Sequence, residues 1–165
     1  MRSFKNITTL SLLLAVVLIL CTACGDKVND DIAVSDISDA ISKAIGAEDN
    51  LAARDDNYIT HMIGIAGTDY AECVVMTNTI GTSVDEYGVF KGADEAQAYK
   101  LAESLQAYLQ AAKTDSLRFS YTPEELPKVE KAIVTTIGNY VMYSILGDSN
   151  RSSALEAFEK SLKEG

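Results

Sequence analysis

Two cysteines near the start of the chain, Cys21 and Cys24, stand in a C-x-x-C spacing. This spacing alone is compatible with a thioredoxin-like redox couple or with half of a zinc site. Upstream lie the basic residues Arg2 and Lys5 and an unbroken apolar run of ten residues, 12–21. The run is too short for an ordinary transmembrane helix, which needs about 20 apolar residues. A basic start, an apolar run and small residues in this order are typical of a secretory signal. We therefore interpret the cysteine pair as part of a signal region rather than as a redox or metal site.

The residues around Cys24 resemble a bacterial lipobox, because this cysteine directly follows the small residues Thr22 and Ala23. In lipoproteins of that type, the cysteine thiol receives a diacylglycerol and the signal is then cut just before it. The resemblance implies that residues 1–23 are removed and that Cys24 is the lipid-bearing first residue of the mature chain. Cys21 departs from the pattern, which more often has Leu at that position. A plain secretory signal without a lipid is the alternative.

The mature chain is strongly acidic. The full sequence holds 14 basic and 24 acidic residues, and removal of residues 1–23 takes away Arg2 and Lys5 but no acid, so the formal net charge changes from −10 to −12. An acidic domain repels phosphate backbones and anionic lipid headgroups. We therefore expect no nucleic acid partner. We also expect the lipid on Cys24, rather than a basic patch, to hold the protein at the extracytoplasmic face of the cell membrane.

Residues 24–32 are polar and are predicted to be a tether between the lipid and a single domain that spans residues 33–165. The tether contains Asp26, Asp30 and Asp31, but their spacing does not match a calcium-binding EF-hand loop, and a solvated acidic linker is the better interpretation. The overall hydrophobic content of 47% suits a packed core.

Few residues have the types and spacing that catalysis requires. Cys73 lies in a predicted strand, and as a nucleophile it would need a base, for which His61 is the only histidine. Burial as a small hydrophobic residue is the commoner fate of a free cysteine, and we favour it here. The sequence contains no phosphate loop, no H-E-x-x-H and no G-x-S-x-G motif, and one histidine makes a zinc site improbable. We therefore predict no catalytic residue, no cofactor and no metal.

Two pairs of adjacent acids could suggest glycosidase chemistry, but neither pair fits it. Asp85 and Glu86 lie in a predicted strand, where neighbouring side chains point to opposite faces. Glu124 and Glu125 are explained by the start of a helix.

Glu86 remains the polar residue of most interest, because strand alternation places it in an apolar stripe with Val84 and Phe90. A carboxylate buried there needs hydrogen-bond donors or becomes protonated. Tyrosine hydroxyls or free backbone N–H groups could serve as donors. The sequence leaves open whether Glu86 is a structural carboxylate or part of a binding site.

The first half of the predicted domain contains an amphipathic helix and a hairpin. Residues 33–46 have an apolar stripe and end at a capping glycine, Gly46. Residues 71–78 and 83–90 are rich in β-branched and aromatic residues and are predicted to form a hairpin, with Gly81 in the turn. Residues 47–70 are ambiguous.

The clearest helix of the chain is predicted over residues 93–113, with Asp94 and Gln97 at its start. Tyr99 and Tyr108 flank its apolar stripe, and we expect both to lie at the core edge with solvated hydroxyls.

The second half contains a short helix, a hairpin and a terminal helix. Thr122 and Pro123 have the signature of a helix start, although Pro127 should break or offset that helix. Residues 133–137 and 140–146 are predicted to form a hairpin through a type II′ turn at residues 138–139. In the terminal helix, Ser153 and Glu156 are predicted to form a capping box. The predicted class is α+β, with an antiparallel sheet of about four strands in two hairpins and the order α-β-β-α-α-β-β-α.

Three segments resemble, in order and spacing, a family of domains of unknown function of the DUF4358 type. They are DEYGVFKGADEAQAY, YTPEE and IGNYVMYSILGD. That family is found mostly in lipoproteins of clostridial-type Gram-positive bacteria, and the likeness extends over about residues 32–164. It implies an extracytoplasmic lipoprotein with one α+β domain, but no activity and no site residue except Cys24. We therefore expect a non-catalytic module that binds a protein or a small ligand. A cell-envelope enzyme of the hydrolase type with an unrecognised site is the alternative.

Overall fold

The structure is a computed structural model that describes residues 28–47, 50–79, 83–114 and 123–163. In these ranges the chain forms five α-helices, one π-helix and five β-strands. In chain order the elements are α1 (Val34–Ile45), β1 (Leu51–Ala53), α2 (Asp56–Tyr58), the π-helix (Ile59–Ile63), β2 (Glu72–Asn78), β3 (Glu86–Lys91), α3 (Glu95–Thr114), α4 (Leu126–Glu130), β4 (Ile133–Ile137), β5 (Tyr140–Ile145) and α5 (Asp148–Leu162).

The five strands form one sheet with the order β1-β2-β3-β5-β4, and every neighbouring pair is antiparallel. The predicted α+β class is therefore confirmed, as are both predicted hairpins. The two hairpins join through β3 and β5, which lie at the centre of the sheet and are its most buried strands.

Helices cover both faces of the sheet, so that the domain has three layers. Helices α1 and α5 pack on one face, around Tyr87, Val89 and Met142. Helices α3 and α4 and the π-helix pack on the other face, around Phe90 and Tyr143. Alternate residues of β3 therefore enter opposite cores, which is what the period of two in a strand requires.

The two longest predicted helices form because apolar stripes and terminal caps agree. Helix α1 ends at Gly46, which has φ +62°, and the backbone N–H groups of Gly46 and Ala47 bond to the carbonyl oxygens of Lys43 and Ser42. These two hydrogen bonds together form a Schellman cap. At the start of α3, the Asp94 carboxylate accepts the backbone N–H of Gln97 at 2.8 Å.

The β4–β5 turn is formed by Gly138 and Asn139, as the sequence predicts. Gly138 has φ +52°, and no residue other than glycine in the described ranges has positive φ. A positive φ at only the first central residue is the pattern of a type II′ turn, which glycine adopts without steric cost.

Three predictions of elements are wrong. The sheet has a fifth strand, β1, which is only three residues long and has one buried side chain, Leu51, so it carries no detectable alternation. Helix α5 begins at Asp148, so that Ser153 and Glu156 lie inside the helix and do not cap it. Helix α4 begins at Leu126 and accommodates Pro127 in its first turn, whereas Pro123 lies in the preceding turn. The predicted cap at Thr122 and the predicted turn at Gly81 lie outside the described residues.

The two ends of the described chain lie side by side. Val28 pairs with Lys163 in an isolated antiparallel bridge, and the N–H of Asn29 donates to the carbonyl oxygen of Leu162 at 3.0 Å. The Tyr140 hydroxyl lies 2.7 Å from the carbonyl oxygen of Ile32. The second half of the predicted tether is therefore packed against the domain.

Candidate functional site

The Glu86 carboxyl group is the centre of a cluster of tyrosine hydroxyls inside the domain. Glu86 is only 6% exposed. The hydroxyls of Tyr143 and Tyr108 donate to Oε1 at 2.5 and 3.0 Å. The hydroxyl of Tyr58 donates to Oε2 at 2.9 Å. Both carboxyl oxygens therefore have partners, as a buried carboxyl group requires. We call these four residues the carboxyl cluster.

Four different elements bring the cluster together. Glu86 and Tyr143 lie on the neighbouring central strands β3 and β5, and Tyr108 comes from α3. The Tyr108 and Tyr143 rings pack edge to face with centroids 5.8 Å apart, which fixes the directions of their hydroxyls. Tyr58 is the last residue of α2 and is half-buried, so it connects the cluster to the surface.

The expected solvated hydroxyl of Tyr108 is wrong, because this residue is 5% exposed and its hydroxyl bonds to Glu86. Tyr99 does lie at the surface, with 65% of its area exposed. The apolar stripe of α3 is wide enough to place Tyr108 in the core. The Glu86 carboxyl group accepts a hydrogen bond from its hydroxyl there, so the hydroxyl can also be buried.

Burial dominates the protonation of the cluster. Removal from water raises the pKa of the Glu86 carboxyl group above its usual range, and the three tyrosine hydroxyls oppose this shift without cancelling it. Burial and the adjacent Glu86 also raise the pKa of Tyr58, Tyr108 and Tyr143. The cluster therefore favours the forms with fewer charges.

A groove with both polar and apolar lining residues lies on the outer side of Tyr58. It has a volume of about 400 Å³, which is within the range of small-ligand sites. Its lining residues are Ala53, Arg54, Asp55, Asn57, Tyr58, His61 and Met62. We call it the Tyr58 groove. Glu86 is not among the lining residues, because the Tyr58 side chain stands between the carboxyl group and the groove.

Two neighbours hold the Arg54 side chain in the Tyr58 groove. Its Nε donates to the Thr77 hydroxyl oxygen at 2.5 Å, and its guanidinium carbon lies 5.3 Å from the centre of the Tyr58 ring. A guanidinium group at this distance from the ring makes a cation–π contact. Arg54 and Tyr58 therefore form one wall of the groove.

The π-helix forms another part of the groove wall. Ile59 and Ile63 are buried in the core, and the residues between them include His61 and Met62, which line the groove. The π-helix ends at Gly64, which has φ +86° and donates its N–H to the carbonyl oxygen of Ile59. Short π-helical segments are frequent at functional sites.

The other residues singled out in the sequence lie elsewhere. Cys73 is partly buried against the core near Tyr70, and burial raises the pKa of its thiol. Asp85 lies 2.9 Å from the Lys128 ammonium group. Glu125 lies equally close to Lys128 and also accepts the N–H of Val84, and these contacts lower the pKa of its carboxyl group. Cys24 lies outside the described residues.

Sequence reasoning missed Arg54, Tyr58 and Met62. They lie in the segment 47–70, which is ambiguous because its first part, residues 47–57, is polar and the extent of helix in the whole segment could not be predicted. The only available signal was the dense mixture of charged and aromatic residues in RDDNY.

Within the described ranges, no group of three or more His, Cys, Asp or Glu residues is arranged to hold a metal ion. In the same part of the chain, no helix combines the length and apolar character needed to cross a membrane.

The fold and the site together define an α+β domain with a buried carboxyl cluster next to a surface groove of mixed polar and apolar lining. The family described as "Domain of unknown function (DUF4358)" matches residues 43–146, and the chain belongs to this family. The matched region contains all five strands, the carboxyl cluster and the Tyr58 groove. Searches of curated proteins and of solved structures found no match.

Proposed function

We propose that the protein is a lipid-anchored, extracytoplasmic lipoprotein of the cell membrane whose domain is a non-catalytic binding module. The Tyr58 groove is its binding site. The observation that carries this proposal is the groove of mixed polar and apolar lining, with its π-helical wall, next to the buried carboxyl cluster. Grooves that combine a few fixed polar groups with apolar surface are typical of small-ligand sites.

The lipid anchor is proposed from the signal region and the cysteine at its end. To test it, wild type, Cys24→Ala and Cys21→Ala are expressed in a Gram-positive host with an alkyne-labelled fatty acid, and membranes are separated from soluble protein. We expect labelling and membrane association to be lost in Cys24→Ala and kept in Cys21→Ala. If Cys24→Ala still incorporates the label and sediments with membranes, the anchor is placed wrongly.

The binding module can be tested on the chain that starts at Gly25, because both cores consist of residues from the described ranges 28–163. Met62 lines the groove, whereas Met142 is fully buried in the opposite core. NMR spectra of protein labelled with methyl-¹³C methionine are recorded with three kinds of N-acetylated dipeptide. These carry a free C-terminal carboxylate, a C-terminal amide or a lysine side chain. We expect at least one probe to shift the Met62 signal in a saturable way while Met142 stays unchanged. If no probe moves Met62, the groove is not the binding site.

A cell-envelope hydrolase is the second candidate, and the raised pKa of Glu86 favours it, since perturbed carboxyl groups often serve in catalysis. The hydrogen bonds from the three tyrosine hydroxyls favour a structural role instead, because a substrate would have to displace Tyr58 to reach the carboxyl group. Incubation of the wild type and Glu86→Gln with peptidoglycan fragments separates the two candidates. If the wild type cleaves these fragments and Glu86→Gln does not, the domain is an enzyme rather than a non-catalytic binding module.

A further inference from the structure

We propose that the Tyr58 groove binds its ligand through a carboxylate, which the Arg54 guanidinium group receives in a two-point contact. The inference rests on the proposed binding function of this groove. The ligand class is a short peptide or amino acid derivative with a free carboxylate end.

The first support is that Arg54 is already fixed in position. Its backbone N–H donates to the carbonyl oxygen of Val75 at 2.8 Å, which ties the end of β1 to β2. Its Nε is held by Thr77, and its guanidinium carbon lies 5.3 Å from the centre of the Tyr58 ring. A side chain ordered before binding loses less conformational entropy when a ligand arrives, so more of the interaction energy is realised as affinity.

The second support is that the two terminal nitrogens of Arg54 remain available for hydrogen bonds to a ligand. The Arg54 hydrogen bond to another side chain uses Nε, and neither terminal nitrogen has a hydrogen-bond partner among the described residues. Arg54 is exposed and lines the groove. Two parallel N–H donors on the outer edge of a guanidinium group match the two oxygens of a carboxylate.

The third support concerns the carboxyl groups near Arg54. Asp55 also lines the groove, and its carboxylate caps α2 by accepting the N–H of Tyr58 at 3.0 Å. Glu86, on the far side of Tyr58, has a raised pKa and retains its proton to higher pH than an exposed glutamate. Within the described ranges, neither carboxyl group forms an ion pair with the Arg54 guanidinium group, so an incoming carboxylate would not have to displace one.

The remaining surface of the groove favours a carboxylate that carries a small apolar substituent. The Met62 side chain and the Tyr58 ring supply apolar area beside Arg54, and Asn57 can donate or accept a hydrogen bond. A peptide end presents these groups together, because its carboxylate, its last side chain and its amide lie within a few bonds of one another.

The experiment compares N-acetyl-alanyl-alanine with its C-terminal amide, using the Met62 methyl signal of the chain from Gly25. We expect the acid to bind at least tenfold more tightly than the amide, since a hydrogen bond to a charged group contributes roughly ten- to a hundredfold in affinity. In Arg54→Gln, the affinity for the peptide acid should fall by about the same factor. Arg54→Lys keeps the charge but not the fork, and we expect an intermediate affinity. The matched control is Arg151→Gln on α5, whose side chain bonds to Asp148 and which should bind like the wild type.

The outcomes separate the inference from the proposal beneath it. Equal binding of the acid and the amide, with no effect of Arg54→Gln, would overturn the carboxylate contact and leave the groove as a binding site. Binding of inorganic phosphate as tight as that of the peptide acid would also overturn the inference, because it would make Arg54 a general anion site. No movement of Met62 with any acid, amide or lysine probe would overturn the binding module itself.

Discussion

Replacement of Glu86 is the sharpest test of the carboxyl cluster, because the structure allows its cost to be estimated. Glu86→Ala removes the acceptor to which the Tyr58, Tyr108 and Tyr143 hydroxyls donate. Tyr143 is 0% exposed and Tyr108 is 5% exposed, so bulk water cannot readily take the place of the carboxyl group. Each buried donor that loses its acceptor costs about 1–3 kcal/mol, so the two together predict a loss of about 2–6 kcal/mol.

Glu86→Gln is expected to cost less than Glu86→Ala. The amide oxygen can still accept a tyrosine hydroxyl, but the amide NH₂ group must face a hydroxyl that previously donated. We expect the loss of one hydrogen bond, about 1–3 kcal/mol, and the stability order wild type, then Glu86→Gln, then Glu86→Ala.

Urea denaturation at pH 6 of the chain from Gly25 measures these free energies of unfolding. Glu103→Ala, at an exposed position of α3, is the matched control and should change stability by less than about 0.5 kcal/mol. If both Glu86 variants unfold like the wild type, the cluster does not contribute to stability and the reasoning fails. If both are more stable than the wild type, Glu86 is retained for function at the expense of stability.

Three further predictions concern protonation, reactivity and packing. Burial raises the pKa of Glu86 above its ordinary value of 4.5, so the folded state keeps a proton that the unfolded state releases. The stability advantage of the wild type over Glu86→Gln should therefore shrink as pH rises from 4.5 to 8. Denaturation curves in which this advantage grows over the same pH range would contradict the assigned direction. Cys73 should react slowly with a thiol reagent in the folded domain and rapidly in denaturant, because it is partly buried and burial raises the pKa of its thiol; rapid labelling of the native protein would indicate an accessible thiolate. Gly88→Ala should destabilise the domain by about 1–3 kcal/mol in urea denaturation, because the new methyl group would overlap the Tyr143 ring. The control is Gly147→Ala, where a methyl group meets no atom within 4 Å. Equal free energies of unfolding for these two variants would contradict the packing argument.

The parts of the fold that could be predicted are those where a local pattern and a buried face coincide. Helix α1 and helix α3 have apolar stripes and end signals, and the β4–β5 hairpin has two apolar runs on either side of a glycine turn. The start of α5 could not be predicted, because Gly147 precedes it and no side chain caps its first turn. The π-helix was missed because it is only five residues long, which is too short to display a helical period in the sequence.

The carboxyl cluster was predictable in one member only. Glu86 interrupts an apolar strand face, which is a local anomaly that the sequence displays. Its partners Tyr58, Tyr108 and Tyr143 are separated from it by 28, 22 and 57 residues, and no local pattern states which of the eight tyrosines of the chain meet the carboxyl group. The meeting is decided by the order of strands in the sheet and by the packing of α3, which are properties of the whole fold.

The bridge between Val28 and Lys163 determines how far an anchored domain could extend from the bilayer. With a lipid on Cys24, only four peptide units separate the anchor from the first residue that is paired with the domain, a span of at most about 14 Å. The domain would then stay within roughly half a bilayer thickness of the headgroups rather than reach into the cell wall. Its ligands would have to arrive at the membrane surface, and a reporter fused after Lys163 would be held at the same short distance.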